Sequence, residues 1–164
     1  MSDASPTAAV VIIGDEILSG RTLDTNTQTI ARFIGALGID LLEVRTVGDR
    51  QAQIVAALNA LREAHDYVFT TGGIGPTHDD ITADAVAEAF GVALPEHPEA
   101  LEILERRYGD ELNTARRRMA RIPAGGQLIA NPVTDAPGFH IGNVFVLAGV
   151  PKIMMAMLED VAPR

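Results

Sequence analysis

The run Thr70-Thr71-Gly72-Gly73-Ile74-Gly75-Pro76-Thr77-His78-Asp79-Asp80 combines glycines, hydroxyls and carboxylates in one short segment. Glycines let a backbone fold tightly and approach a ligand with no side chain between them. Free amides of such a loop, with a helix N-terminus behind them, form a site for phosphate or another oxyanion. Asp79 and Asp80 alone would repel a phosphate, so their presence calls for a cation. Mg²⁺ is commonly held by one or two carboxylates together with substrate oxygens. A plainer reading is a glycine-rich turn in which Asp80 caps the next helix, and capping is expected in either case. Binding is preferred because a strand before the loop (67–69) and a helix after it (81–90) are the context such loops require.

The rest of the chain must position this loop. Ala8-Ala9-Val10-Val11-Ile12-Ile13 is a continuous apolar run, as in a strand buried on both faces. A helix is expected over 26–37, where Ile30, Phe33, Ile34 and Leu37 share one face and Gly38 stops it. Residues 40–47 read as a strand. Asp49 is the expected N-cap of a helix over 50–63, whose inward face carries Ile54, Val55, Leu58 and Leu61. A strand over 67–71, the glycine loop and a helix ending at Gly91 complete a β-α-β-α-β-α alternation. Such alternation predicts a three-layer α/β/α domain on a mostly parallel sheet. Beyond Pro95, helical patterns cover 98–107 and 113–121. Pro123, Gly125-Gly126, Pro132 and Pro137-Gly138 mark an irregular or hairpin-rich section. Val144 to Leu147 is a last buried strand, and a closing helix runs over 152–160.

Ligands of open parallel sheets bind beyond the carboxyl ends of the strands. Those ends carry Gly14, Asp15 and Glu16; Gly48 and Asp49; the glycine loop with Asp79 and Asp80; and Gly149, Val150 and Pro151. Caps and turns favour the same residue types, so the recurrence is suggestive. Asp15 and Glu16 are the least expected of them, because no helix start is visible directly after them. The polar stretch 19–29, with Asp24 and Asn26, is placed to bend over the site.

Composition narrows the function. The chain of 164 residues is long enough for one sizeable core, with residues 1–7 as a polar, disordered tail and 8–164 as a single domain. Cysteine is absent, which excludes disulfides, thiolate metal sites and cysteine nucleophiles. A formal net charge of −9 argues against sequence-independent nucleic-acid binding. No signal peptide or membrane-length apolar run is visible, so a cytoplasmic protein is expected. Arg106, Arg107, Arg116, Arg117, Arg118 and Arg121 form a local basic cluster. The preferred reading is a solvated face pairing with Glu102, Glu105 and Glu111; the other is a clamp for ligand phosphates or a subunit contact.

Several chemistries fail on detail. The loop lacks the Gly-Lys-Ser/Thr ending of a P-loop. The first strand–helix turn has one glycine, not the dinucleotide-binding G-x-G-x-x-G. His65, His78, His97 and His140 lack metal-ligand spacing, and no G-x-S-x-G elbow is present.

The segment 71–82, Thr-Gly-Gly-Ile-Gly-Pro-Thr-His-Asp-Asp-Ile-Thr, resembles the signature of the molybdopterin-binding (MoaB/Mog-like) domain. Its form is closest to the N-terminal domain of competence/damage-inducible protein A (CinA). Gly14 to Gly20 with Asp24-Thr25-Asn26, Val47-Gly48-Asp49, Asn131-Pro132, Ala136 to Phe139 and Gly149-Val150-Pro151 agree with its other motifs in order, over residues 8–160. The resemblance implies the MoaB/Mog-like fold with a small β-rich subdomain, and a nucleotide or molybdopterin bound at the strand C-termini. It implies phosphate contacts from Gly72, Gly73, Gly75 and Thr77, with Gly14, Asp15, Thr71, Pro76, Gly149 and Pro151 lining the ligand site. Asp49 and Asp80 would be the catalytic acids. Asp49, Asp79 and Asp80 would hold Mg²⁺ or another divalent cation such as Co²⁺ or Mn²⁺, with Asp15 assisting. A homodimer or homotrimer is the family habit.

CinA proteins commonly carry a C-terminal amidase domain; this chain ends at Arg164, so a stand-alone form without that activity is expected. Three functions fit the resemblance. The first is a metal-dependent pyrophosphatase acting on an ADP-ribose-like substrate. The second is binding or adenylylation of molybdopterin in molybdenum cofactor biosynthesis. The third is a non-catalytic nucleotide sensor.

Overall fold

The computed structural model describes residues 5–161. Its elements are β1 (Thr7–Ile13), α1 (Asp15–Leu18), α2 (Asn26–Gly35), β2 (Asp40–Val47), α3 (Gln51–Ala64), β3 (Tyr67–Thr71), α4 (Thr82–Phe90), α5 (Pro98–Tyr108), α6 (Thr114–Arg117), β4 (Gln127–Ile129), β5 (Gly138–Ile141), β6 (Val144–Leu147) and α7 (Pro151–Val161). The six strands form one sheet in the order β2-β1-β3-β6-β5-β4. The first four are mutually parallel, and β5 and β4 add antiparallel strands at one edge.

Alternation along β1 explains the layers. Ala9, Val11 and Ile13 belong to a core shared with α3, α4, Ala100 and Leu104 of α5 and Ile122. Ala8, Val10 and Ile12 face the opposite core, filled from Ile30 and Ile34 of α2 and Met154, Met157 and Leu158 of α7. Side chains on a strand point alternately to the two faces, so a continuous apolar run is what a central strand covered on both sides requires. β2, at the sheet edge, alternates instead and leaves Leu42 and Val44 exposed.

The three-layer α/β/α architecture with a mostly parallel sheet is as the sequence predicts. The β-rich part expected as a small subdomain is present as β4 and β5, which extend the main sheet itself. Of the expected tail, residues 1–4 lie outside the described residues, and Thr7 already belongs to β1. A short helix, α1, does begin at Asp15, contrary to expectation. The helical pattern over 113–121 divides into α6 and a 3₁₀ turn, Arg118–Ala120. Among the described residues no helix is long and apolar enough to cross a membrane.

The chain runs from β1 outward to β2, then returns across β1 to form β3. The connections after β1 and β3 therefore diverge, which opens a crevice at the carboxyl ends of those two strands.

Candidate functional site

At the end of β3 the backbone turns through Gly72 and Gly73, with φ of 100° and 74°. A Cβ on Gly72 would collide with the carbonyl oxygen of Ile13, and one on Gly73 with the hydroxyl of Thr82. Both positions thus need glycine twice over, for the positive φ and for the close approach. The Gly72 N–H donates to the Leu147 carbonyl at 3.1 Å. Thr82, fully buried, donates its hydroxyl to the Gly72 carbonyl at 2.9 Å and its N–H to the Gly73 carbonyl at 3.1 Å. The loop is therefore clamped between β1, β6 and the first turn of α4. Among the described residues, no protein acceptor pairs with the amides of Gly73, Ile74 and Gly75.

Asp80 does not cap α4. Its Oδ2 turns back to accept the N–H and the hydroxyl of Thr77, at 2.9 and 2.8 Å, and Ile81 takes the cap position without a side-chain bond. Both Thr77 donors are thereby committed to Asp80. The carboxylate also packs against Gly75, where a Cβ would lie 2.9 Å from Oδ2.

Asp49 does not cap α3 either; Arg50 is at the cap position, with no side-chain bond. The Asp49 Oδ2 accepts the Asp15 N–H at 3.2 Å, while the Asp15 Oδ1 accepts the Asp49 N–H at 3.0 Å. This exchange ties the end of β2 to the start of α1. Burial raises the Asp49 carboxyl above its ordinary pKa. The Asp15 N–H opposes this, and the negative charges of Asp15, Glu16 and Asp80 add to it.

A cavity of about 600 Å³ opens over these strand ends. Of the residues singled out in the sequence, Thr71, Gly72, Gly73, Gly75, Pro76, Asp80, Gly149 and Pro151 line it. Gly14, Asp15 and Asp49 flank it at the ends of β1 and β2, and Thr77 and Asp79 are also outside its lining. Asp79 is largely exposed, 3.5 Å from His78. The polar stretch does bend over the site: residues 22–26 form one wall. Asp24 accepts the Asn26 N–H at 2.9 Å and the Thr27 hydroxyl at 2.6 Å, just ahead of α2, whose cap position is Thr25. Buried Asn26 donates its side-chain amide to the Gly149 carbonyl at 2.9 Å, joining that wall to the end of β6.

Glu16, Tyr108 and Met119 also line the cavity. Periodicity gave no sign of the last two, because their placement depends on how α5 and α6 fold back over α4.

The arginine cluster pairs with partners other than the expected Glu102 and Glu105. Arg117 binds Glu96 at 2.8 and 3.0 Å, and Arg121 grips Asp84 of α4 at 3.0 and 3.1 Å. Arg118 donates to the Asp80 carbonyl at 3.2 Å, and Arg116 to the Glu111 carbonyl at 2.7 Å. Arg118 and Arg121 thus hold the helix that follows the glycine loop.

Residues 9–164 match the model of the family described as "Probable molybdopterin binding domain". A CinA-like protein of Geobacter sulfurreducens is 43% identical over 159 residues, spanning 93% of this chain and 38% of that protein. A CinA-like protein of Desulfovibrio desulfuricans is 37% identical over 159 residues, spanning 93% of this chain and 37% of that protein. The chain thus spans about two fifths of the length of these curated relatives. The crystal structure of the protein CinA from Thermoplasma acidophilum matches with a TM-score of 0.90 at 37% identity, covering 96% of this chain and 97% of that one. The tungsten cofactor synthesizing protein MoaB from Pyrococcus furiosus shares the fold, with a TM-score of 0.62 at 19% identity over 99% of this chain and 93% of that one.

Proposed function

The chain belongs to the probable molybdopterin binding domain family, with CinA-like relatives, and on that premise we propose that its cavity binds a phosphate-bearing nucleotide and hydrolyses its pyrophosphate bond. The observation that carries this reading is the row of unpaired amides at Gly73, Ile74 and Gly75, beside Asp80 at the cavity. Such amides suit phosphate oxygens.

Among the described residues no group of three or more His, Cys, Asp or Glu side chains is placed to hold a metal ion. The carboxylates nevertheless fit a hard cation. Asp15 and Asp49 lie side by side, and the charges of Asp15, Glu16 and Asp80 add to the burial that chiefly raises the Asp49 pKa; a cation would relieve the charge part of that cost. Mg²⁺ suits a donor set this small, because substrate oxygens and waters complete its coordination. Asp80 and Asp49 would hold it, with Asp15 assisting; Asp79 is too far out on the loop to be favoured. The ion would neutralise charge developing at phosphorus and favour ionisation of water.

The chain's own contribution is placement. Gly73 to Gly75 orient a phosphate, Thr82 keeps the loop from collapsing, and residues 22–26 restrict water at one side. Water adds to one phosphorus and the bridging P–O bond breaks, so ADP-ribose would yield AMP and ribose 5-phosphate with release of protons.

The test is chromatographic analysis of ADP-ribose, FAD and NAD incubated with the protein and Mg²⁺, Mn²⁺ or Co²⁺, beside an Asp80→Asn control. Cleavage by wild type alone is expected. Undiminished cleavage by the variant would remove Asp80 from the site. Binding without cleavage would leave a nucleotide sensor. The family description favours a second occupant, molybdopterin, whose phosphate would take the same amides. Copurification of a fluorescent pterin would support it.

A further inference from the structure

We propose that Tyr108 is the stacking surface for a planar heteroaromatic ring at the far end of the ligand whose phosphate meets the glycine loop. The proposal rests on the phosphate-binding reading of that loop and adds to it the other half of the ligand.

Tyr108 closes α5 and is the only aromatic side chain lining the 600 Å³ cavity among the described residues. The lining also includes Ile74, Met119 and Ala136, each, like Tyr108, a partly buried residue packed on the α3/α4 core. The cavity therefore has two chemistries. The lining combines the backbone amides of the loop and the Asp80 carboxylate with apolar side chains and one aromatic ring. A ligand with a phosphate at one end and a flat, weakly polar ring at the other matches both. An aromatic wall recognises such a ring by its π-face with little regard to its exact substituents.

The ring is also held in place. The Arg116 guanidinium carbon lies 4.5 Å from its centroid, within cation–π range. Arg116 is fixed in turn, because its guanidinium donates to the Glu111 carbonyl at 2.7 Å and its N–H to the Asn113 side chain at 2.8 Å. Arg116 thus covers one face of the ring without itself lining the cavity, and limits the orientations the ring can take. A preorganised ring loses less freedom when a ligand stacks on it.

Adenine and pterin share the required chemistry, and separate arms of the experiment distinguish them. The chain has no tryptophan and two tyrosines. The other, Tyr67, begins β3, at the opposite end of that strand from the glycine loop, and packs on Phe145. Tyr67→Phe therefore leaves Tyr108 as the sole fluorophore of its class. In that background, ADP-ribose or neopterin phosphate is expected to quench the tyrosine emission at saturation, and inorganic pyrophosphate to leave it unchanged. Calorimetry of Tyr108→Phe and Tyr108→Ala supplies the second readout. The phenylalanine variant should keep wild-type affinity. The alanine variant should lose about tenfold or more for whichever ring-bearing ligand is native. Pyrophosphate affinity should be the same in all three proteins. Ring-bearing ligands that bind without quenching, or an equal loss for pyrophosphate, would overturn the assignment to Tyr108 while leaving the glycine loop as a phosphate site. Failure of wild type to bind pyrophosphate or any ring-bearing ligand would overturn the loop reading and this proposal together. If the alanine variant does not fold, the fluorescence titration decides alone.

Discussion

Asp15 and Asp49 each accept the other's backbone N–H, at 3.0 and 3.2 Å, across the ends of neighbouring parallel strands. The exchange places two carboxylates side by side, where Asp49 also feels the charges of Glu16 and Asp80. The first prediction concerns that charge. Burial and its acidic neighbours raise the Asp49 pKa in the folded state, so the folded protein holds this proton more tightly than the unfolded chain does. The resulting stabilisation is full below the ordinary value of 3.8 and is lost as pH rises through the raised value. At pH 7 the ionised group is therefore unfavourable. Asp49→Asn should melt above wild type at pH 7, and the gap should close as pH falls towards about 4. Mg²⁺ should raise the melting temperature of wild type more than that of the variant. Thermal scans across pH, with and without the ion, check both.

Asp80 holds the Thr77 turn, and the proposed function gives it a chemical task as well. An asparagine oxygen can still accept from Thr77, so Asp80→Asn should keep the turn and the melting temperature. Turnover of a cleaved substrate should fall about a hundredfold or more, the scale of removing one electrostatic stabiliser. Steady-state kinetics beside a thermal scan separate the two tasks.

Thr82→Val keeps the shape of a buried side chain but leaves the Gly72 carbonyl without its hydroxyl donor. A loss of about 1–3 kcal/mol is expected in urea denaturation, the cost of an unsatisfied buried acceptor. Pyrophosphate affinity should weaken as well, since the same bond shapes the loop.

Gly73→Ala places a methyl group against the Thr82 hydroxyl at a positive φ. The strained backbone alone costs about 1–3 kcal/mol. Gly91→Ala also has a positive φ but meets open space, so it is the control. Both variants should lose stability; only Gly73→Ala should lose pyrophosphate binding by calorimetry.

Local pattern revealed most of the sheet and less of the site. The strands at 40–47, 67–71 and 144–147 follow from apolar or β-branched runs, and those at β1 and β3 bring the loop where the strand-end rule puts it. Which donor a carboxylate takes in the folded chain is a different matter. Asp49 and Asp80 have the residue type of caps, yet each finds a nearer donor in the folded chain: the Asp15 N–H for one, Thr77 for the other. Arg121 pairs with Asp84, 37 residues back, and no helical spacing foretells that. β4 was obscured because Gln127–Ile129 is too short to show alternation and gains its identity only by pairing with β5. Tyr108 and Met119 reach the cavity through the fold-back of α5 and α6, a tertiary event.

The position of β3 between β1 and β6 sets an order of events during synthesis. The glycine loop is encoded near the middle of the chain, but its Gly72 N–H closes onto Leu147, and the Asn26 wall closes onto Gly149. Until residues 144–149 leave the ribosome, β3 is an edge strand with unpaired backbone groups, open to pairing with another chain. A nascent chain stalled before that point would carry every glycine and acid of the loop, yet would lack the Leu147 and Gly149 partners that hold the loop and its wall, and would be prone to aggregate. Ligand should therefore protect the finished domain from proteolysis without rescuing its stalled precursors.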